Sequence, residues 1–127
     1  MTRHLALFLA LLLTVRASPP PGTALSWDTR LISASAQPGK RVVHASFGFR
    51  NSSSAPVAII AVETSCRCTS ADSDKRIYVA GERGRIDVAF AIGAQEGLQE
   101  KSVTVSTDEP GVKDSILVLR VAIAPAD

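Results

Sequence analysis

Across residues 41–50 apolar and polar side chains alternate. Val43, Ala45, Phe47 and Phe49 fall on one side, and His44, Ser46, Gly48 and Arg50 on the other. A period of two marks a strand that buries one face. Residues 85–92 repeat the pattern more clearly, with Ile86, Val88, Phe90 and Ile92 set against Arg85, Asp87, Ala89 and Ala91. Residues 57–64 form the most apolar run and are expected at the centre of a sheet. Further strands are predicted over 25–33, where alternation is poor, and over 75–80, 100–107 and 113–124. Turn-forming clusters punctuate them at 37–40, 51–56, 81–84, 93–97 and 108–111. No helical period occurs after residue 17. About seven strands at this spacing predict a two-sheet antiparallel β-sandwich, because hairpins alone cannot hide both faces of so many strands.

The N-terminus reads differently. Arg3 and His4 precede an apolar run over residues 5–15, and Val15 and Ala17 stand where a small-residue cleavage site belongs. This is the anatomy of a secretory signal peptide over residues 1–17. The run is too short to span a bilayer core, which takes about 20 residues. A Pro-rich leader (18–23) follows, and the sandwich is expected over 24–127. No cysteine follows the apolar run, so the expectation is a soluble exported product, periplasmic or extracellular, with no stable membrane anchor after cleavage.

Charge then changes the picture. The whole chain carries 14 Lys and Arg against 12 Asp and Glu. Arg3 and Arg16 leave with the signal, so the mature charge is near zero. With no basic run and few stacking aromatics, nucleic acid is not an expected partner.

Chemistry concentrates in Ser65-Cys66-Arg67-Cys68-Thr69, which holds both cysteines of the chain. In an extended strand residues i and i+2 lie about 6.5–7 Å apart. A disulfide wants about 4.4–6.8 Å, so bridging requires a bend at Arg67. Three readings stay open: a structural pair, bridged or buried; a redox or covalently modified pair, its thiolates favoured by Arg67; and a soft-metal site. Extending the parity of Ile60, Val62 and Thr64 places both cysteines on the face of those residues. Only two metal ligands are visible, and His44 falls on an outer face, so no metal or cofactor is assigned. There is no Cys-Trp-Cys arrangement, so the core is expected to hold without an inter-sheet bridge.

The other candidates are weaker. Asp72-Ser73-Asp74 lacks the glycine and distal Glu of a calcium loop and reads as a solvated turn. The carboxylate pairs Glu96/Glu100 and Glu63/Asp87 have nothing to set them across a cleft. Asn51-Ser52-Ser53 is a glycosylation sequon only in a eukaryotic host. Trp27 reads as a packing residue. No nucleophile elbow, zinc-protease motif or phosphate loop occurs, and no enzyme activity is expected.

Several pieces together resemble a known family. Phe47-Gly48-Phe49-Arg50-Asn51, then Pro56 to Val62, then Ser-Cys-x-Cys-Thr at 65–69, then Ala80-Gly81-Glu82 are similar in order and spacing to DUF1573, exported bacterial domains of unknown function. The resemblance implies an immunoglobulin-like all-β fold and no established activity. Two positions depart from the family pattern. Arg67 stands where Gly is usual, which bears on the bend between the thiols, and Ala80 stands where Pro is usual.

Two functional expectations follow. The first is a non-enzymatic interaction or structural module of the cell envelope, binding an unknown envelope or extracellular protein by strand addition. Its candidate surface is the edge over residues 64–74, with the turns at 52–55 and 108–111. The second is a thiol-based redox or soft-metal module acting through Cys66, Arg67 and Cys68.

Overall fold

The computed structural model describes residues 23–125. The expected signal segment and residues 18–22 of the leader lie outside the described residues. Nine strands run in chain order: β1 (Leu25–Trp27), β2 (Leu31–Ala36), β3 (Val42–Asn51), β4 (Val57–Thr64), β5 (Thr69–Ser73), β6 (Ile77–Tyr78), β7 (Arg83–Ala91), β8 (Gly97–Thr107) and β9 (Ser115–Ile123). They form two sheets, β1-β3-β7-β5 and β2-β9-β8-β4-β6. The immunoglobulin-like sandwich is present, as the alternation demands. Phe47, Phe49, Ile86, Val88 and Phe90 face inward from the first sheet, against Val103, Val105, Leu117, Leu119 and Val121 of the second.

The strand count differs from about seven, and one pairing is not antiparallel. The stretch read as a single first strand changes sheets. Trp27 pairs with Phe49, whereas Leu31 pairs with Val118 of the other sheet. The crossing over residues 28–30 accounts for the poor alternation there. After the crossing the chain meets β9 running the same way, so β2–β9 is parallel. Strand β5 (Thr-Ser-Ala-Asp-Ser) takes in Asp72 and Ser73, which the sequence reads as part of a solvated turn. Its polar residues can be outward because it is an edge strand, with Thr69 alone fully buried. The strand expected over 75–80 contracts to two residues.

The expectation that residues 57–64 lie centrally is also corrected. β4 pairs with β8 on one side, but on the other β6 covers only Val57 and Ala58, and the Arg76 carbonyl accepts the Ile59 N–H (2.8 Å). A β-bulge between Ile59 and Ala61 inserts Ile60, which is 59% exposed. An extra residue reverses the side-chain parity beyond it. Ile59 points inward, Ile60 outward, and Val62 packs on the core.

Two polar side chains organise the end of the sandwich where β3 hands over to β4. Asn51 shares the inward parity of Phe47 and Phe49 and is fully buried. Its amide donates to the carbonyls of Ala55 (2.8 Å) and Tyr78 (2.9 Å), and its Oδ1 accepts from the Ser53 N–H and hydroxyl. The Asn51 side chain is therefore consumed in holding the turn, and the sequon reading has no accessible acceptor. The Tyr78 ring is fully buried edge-on against Phe49, 4.8 Å between centroids. A Cβ at Gly84 would overlap both rings, so this position has no room for a side chain.

The Tyr78 hydroxyl donates to Asp74 Oδ1 (2.7 Å) and accepts the Lys75 N–H (2.9 Å). Burial, then the bond to Asp74, pushes the phenol up to about 12. Burial alone would raise Asp74, but the Arg85 amide, the Tyr78 hydroxyl and the Arg85 charge outweigh it and hold that carboxyl below its ordinary value. An acid whose folded-state value is raised keeps its proton longer in the folded chain, so it withdraws stability as pH rises. The Tyr78 contribution is complete below the ordinary value of 10.0 and disappears on approach to about 12. Stability should decline over that window, and Tyr78→Phe should flatten this part of the profile. Denaturant melts against pH check both. Because the chain has one tyrosine, an absorbance titration reads Tyr78 alone.

The turn into β7 yields a second prediction. Glu82 N–H donates to Val79 C=O (3.0 Å), and Gly81 has φ +81°, the geometry of a type II turn with Ala80 at its second position. Proline suits that position. Ala80→Pro should raise unfolding stability by about 0.4–1 kcal/mol through a less flexible unfolded chain, measurable by urea titration.

Candidate functional site

The cysteine turn is one of the crossings between the two sheets. β4 ends at Thr64 in one, and β5 begins at Thr69 in the other. Cys66 and Cys68 are bridged, with their Cα atoms 5.2 Å apart. The bend occurs at Arg67 without a left-handed residue, since no non-glycine residue described has positive φ. The arginine in place of the family's usual glycine thus does not prevent closure.

Main-chain bonds hold the turn from both sides. Thr69 N–H donates to Cys66 C=O (3.1 Å), Ser65 N–H to Ser102 C=O (3.0 Å), and Ala91 N–H to Cys68 C=O (2.7 Å). The Thr64 hydroxyl lies 3.1 Å from both the Cys66 and the Thr69 carbonyl oxygens. The two sulfurs are not equivalent. Cys66 Sγ accepts the Cys68 N–H (3.1 Å), whereas Cys68 packs against the core with its sulfur 3.7 Å from Thr69 Oγ1. Arg67 is exposed between them. Neither cysteine is a fully buried core residue. The parity argument fails because the Ile60 bulge and the turn both intervene.

Beside the turn the sandwich is open. The bond from Ser65 to Ser102 fixes which β4 residues bond β8, so Ala61 and Glu63 turn their main chain inward to the sheet. By alternation Val62 and Thr64 turn theirs outward. On β5, the bonds of Cys68 and Asp74 to β7 leave Ala71 directed to the same side. Between these edges lies a groove of about 300 Å³, with Ile60, Val62, Ala71, Ser73 and Arg76 in its walls. Ile60, Ile77 (61% exposed) and Val79 (57%) are aliphatic side chains open to solvent around the β4–β6 edge.

The turns at 52–55 and 108–111 do not join this surface at the cysteine end. Asp108 bonds Ala58, at the opposite end of β4 from Thr64. His44 stands exposed on the outer face of the first sheet, away from the cysteines. Nearby, Ser46 donates directly to Asp87, so no Ser–His relay forms. Glu63 and Asp87 occupy opposite faces of the sandwich, and Glu100 is engaged by Arg120 (2.7 Å). Trp27 packs 5.0 Å from Phe49 and donates to Ser115 Oγ. Among the described residues no three His, Cys, Asp or Glu side chains come together as a metal-holding group. Sequence reasoning named an edge over residues 64–74 but missed that it extends back along β4 past Val62. The one local trace of that extension is the solvent-facing Ile60, indistinguishable from the rest of an apolar run.

The pattern of the family described as Protein of unknown function (DUF1573) matches residues 25–121. No protein of curated function matches the chain. Among solved structures, a Porphyromonas gingivalis W83 protein of unknown function is similar at TM-score 0.67 and 13% identity, over 77% of this chain and 46% of its own. The PapD-like domain 7 of human CEP192 is similar at TM-score 0.61 and 12% identity, over 98% and 100%. The E. coli chaperone DraB is similar at TM-score 0.54 and 12% identity, over 76% and 53%. These identities speak to fold alone. The present chain spans less than half of the Porphyromonas protein.

A bridge closing so short a loop stabilises little. The chain-entropy relation gives at most about 1.6 kcal/mol for a three-residue ring. Cys66→Ser combined with Cys68→Ser should therefore lower unfolding stability by no more than about 1.6 kcal/mol. Urea unfolding of the variant against wild type measures the difference.

Proposed function

The chain belongs to the DUF1573 family, and from that premise and the open β4 edge we propose a non-enzymatic interaction module of the cell envelope that takes up an extended polypeptide as an added strand. The carrying observation is that β4 loses its neighbour after Ile59, whose N–H donates to the Arg76 carbonyl, while its outward main-chain groups continue to Thr64. Each added backbone hydrogen bond satisfies a group the fold leaves unpaired. Alternate side chains of the incoming strand fall beside Ile60 and Ile77, where apolar contact adds affinity. The partner is an envelope or extracellular protein segment with aliphatic residues at every second position. Likeness to a protein described as a chaperone supports a polypeptide partner. The basic-then-apolar opening over residues 3–15 supports export to the periplasm or the extracellular space.

A displayed library of ten-residue peptides tests this reading. Selected binders should carry apolar residues at i and i+2 and should slow amide exchange at Val62 and Thr64. Val62→Pro removes an outward N–H from an edge position where proline is tolerated, and should weaken binding at least about tenfold. The double cysteine-to-serine variant should bind within about twofold of wild type. Peptides that bind equally well to Val62→Pro, with no protection along β4, would refute the edge.

A further inference from the structure

The disulfide is the one covalent constraint in the described chain, and the fold makes little use of it. Its ring is three residues long, so it removes little freedom from the unfolded state. The turn it closes is already fastened by the amides of Ser65, Thr69 and Ala91 and by the Thr64 hydroxyl. Opening the bridge would leave these bonds in place, and with them two thiols held side by side. Such a pair can cycle between dithiol and disulfide without refolding.

We propose that Cys66 and Cys68 form a thiol–disulfide exchange site that oxidises a dithiol of a partner protein, with Cys66 carrying the mixed disulfide. The asymmetry of the two sulfurs assigns the roles. Cys68 is set against the core, whereas Cys66 lies in the turn beside the exposed Arg67. The Cys68 N–H points at Cys66 Sγ and favours a thiolate there, while Arg67, next to both cysteines in the chain, adds a cation to the turn.

The exchange balances as follows. A partner thiolate attacks Cys66 Sγ, forming a sulfur–sulfur bond between the two proteins as the Cys66–Cys68 bond breaks. The electron pair leaves on the Cys68 sulfur, within reach of the Thr69 hydroxyl, and that sulfur takes a proton from solvent. The partner's second thiolate then attacks its own sulfur in the mixed disulfide. Cys66 departs as a thiolate beside the Cys68 amide. The partner dithiol has lost two electrons and become a disulfide, and the cysteine pair has gained them.

Single-cysteine variants of the full chain, each incubated with glutathione disulfide and followed by intact mass, test the assignment. Cys68→Ser should acquire one glutathione at Cys66 at least about tenfold faster than Cys66→Ser acquires one at Cys68. Adding Arg67→Glu to Cys68→Ser should slow its reaction several-fold at low salt, with the gap narrowing as salt is raised. In the wild-type chain, dithiothreitol should open the bridge without denaturant and without change in the β-sheet circular dichroism. Glutathione disulfide should then restore the intramolecular bridge. Equal or reversed rates in the single variants overturn the roles given to the two sulfurs. A bridge that opens only in denaturant, or whose opening abolishes the β spectrum, overturns the exchange site. The readouts are independent of peptide binding at β4, so failure of one proposal leaves the other standing.

Discussion

The inner faces of the two sheets have only each other to bury against. Phe47, Phe49 and Phe90 of one sheet are fully buried opposite Leu117, Leu119 and Val121 of the other. A two-layer arrangement is the smallest that hides both faces. It also dictates where polar groups can enter. Asn51 is tolerated in the interior because every donor and acceptor of its side chain is matched, and among the described residues no buried side-chain nitrogen or oxygen lacks a partner. A buried amide left unpaired would cost more than the net gain of the bonds it makes, so this residue selects one arrangement of the β3–β4 turn and of the loop that carries Tyr78.

Layering also forces the chain to change sheets, and it does so at the sandwich edges. The crossing over residues 28–30 splits an expected strand in two. The crossing over residues 65–68 carries the disulfide. Both proposed activities adjoin this second crossing for one reason. β6 stops after two residues and leaves the outer edge of β4 open up to this crossing, where the turn itself stands partly in solvent. The Ile60 bulge adds to this by turning an aliphatic side chain outward beside the free edge. Peptide addition uses the backbone groups, and thiol exchange uses the sulfurs of the turn. The main-chain bonds anchoring Cys66 and Cys68 are what let the second occur without disturbing the first.

Much of the candidate site was hidden in the sequence for a definable reason. The cysteines stood out by type and spacing, and the need for a bend at Arg67 followed from strand geometry. Their facing did not, because parity counted from Ile60 passes through a bulge that no local residue announces. Asn51 looked like a surface sequon because its neighbours are serines, yet its place in line with Phe47 and Phe49 already put it on the inward face. Asp74 looked like part of a solvated turn, and it is the acceptor that fixes the Tyr78 hydroxyl.

What the sequence determined by itself is the β-class of the chain, the inward residues of β3 and β7, and the positions of most turns. These depend on side chains alternating across a single strand and on residues that favour turns, and both are local properties. Tertiary structure alone decided which strands pair, that β2 runs parallel to β9, that β6 stops after two residues, and that β4 is consequently open. Pairing is settled by which apolar faces and backbone groups meet across many residues of chain. A strand carries no mark of whether its far edge will find a neighbour.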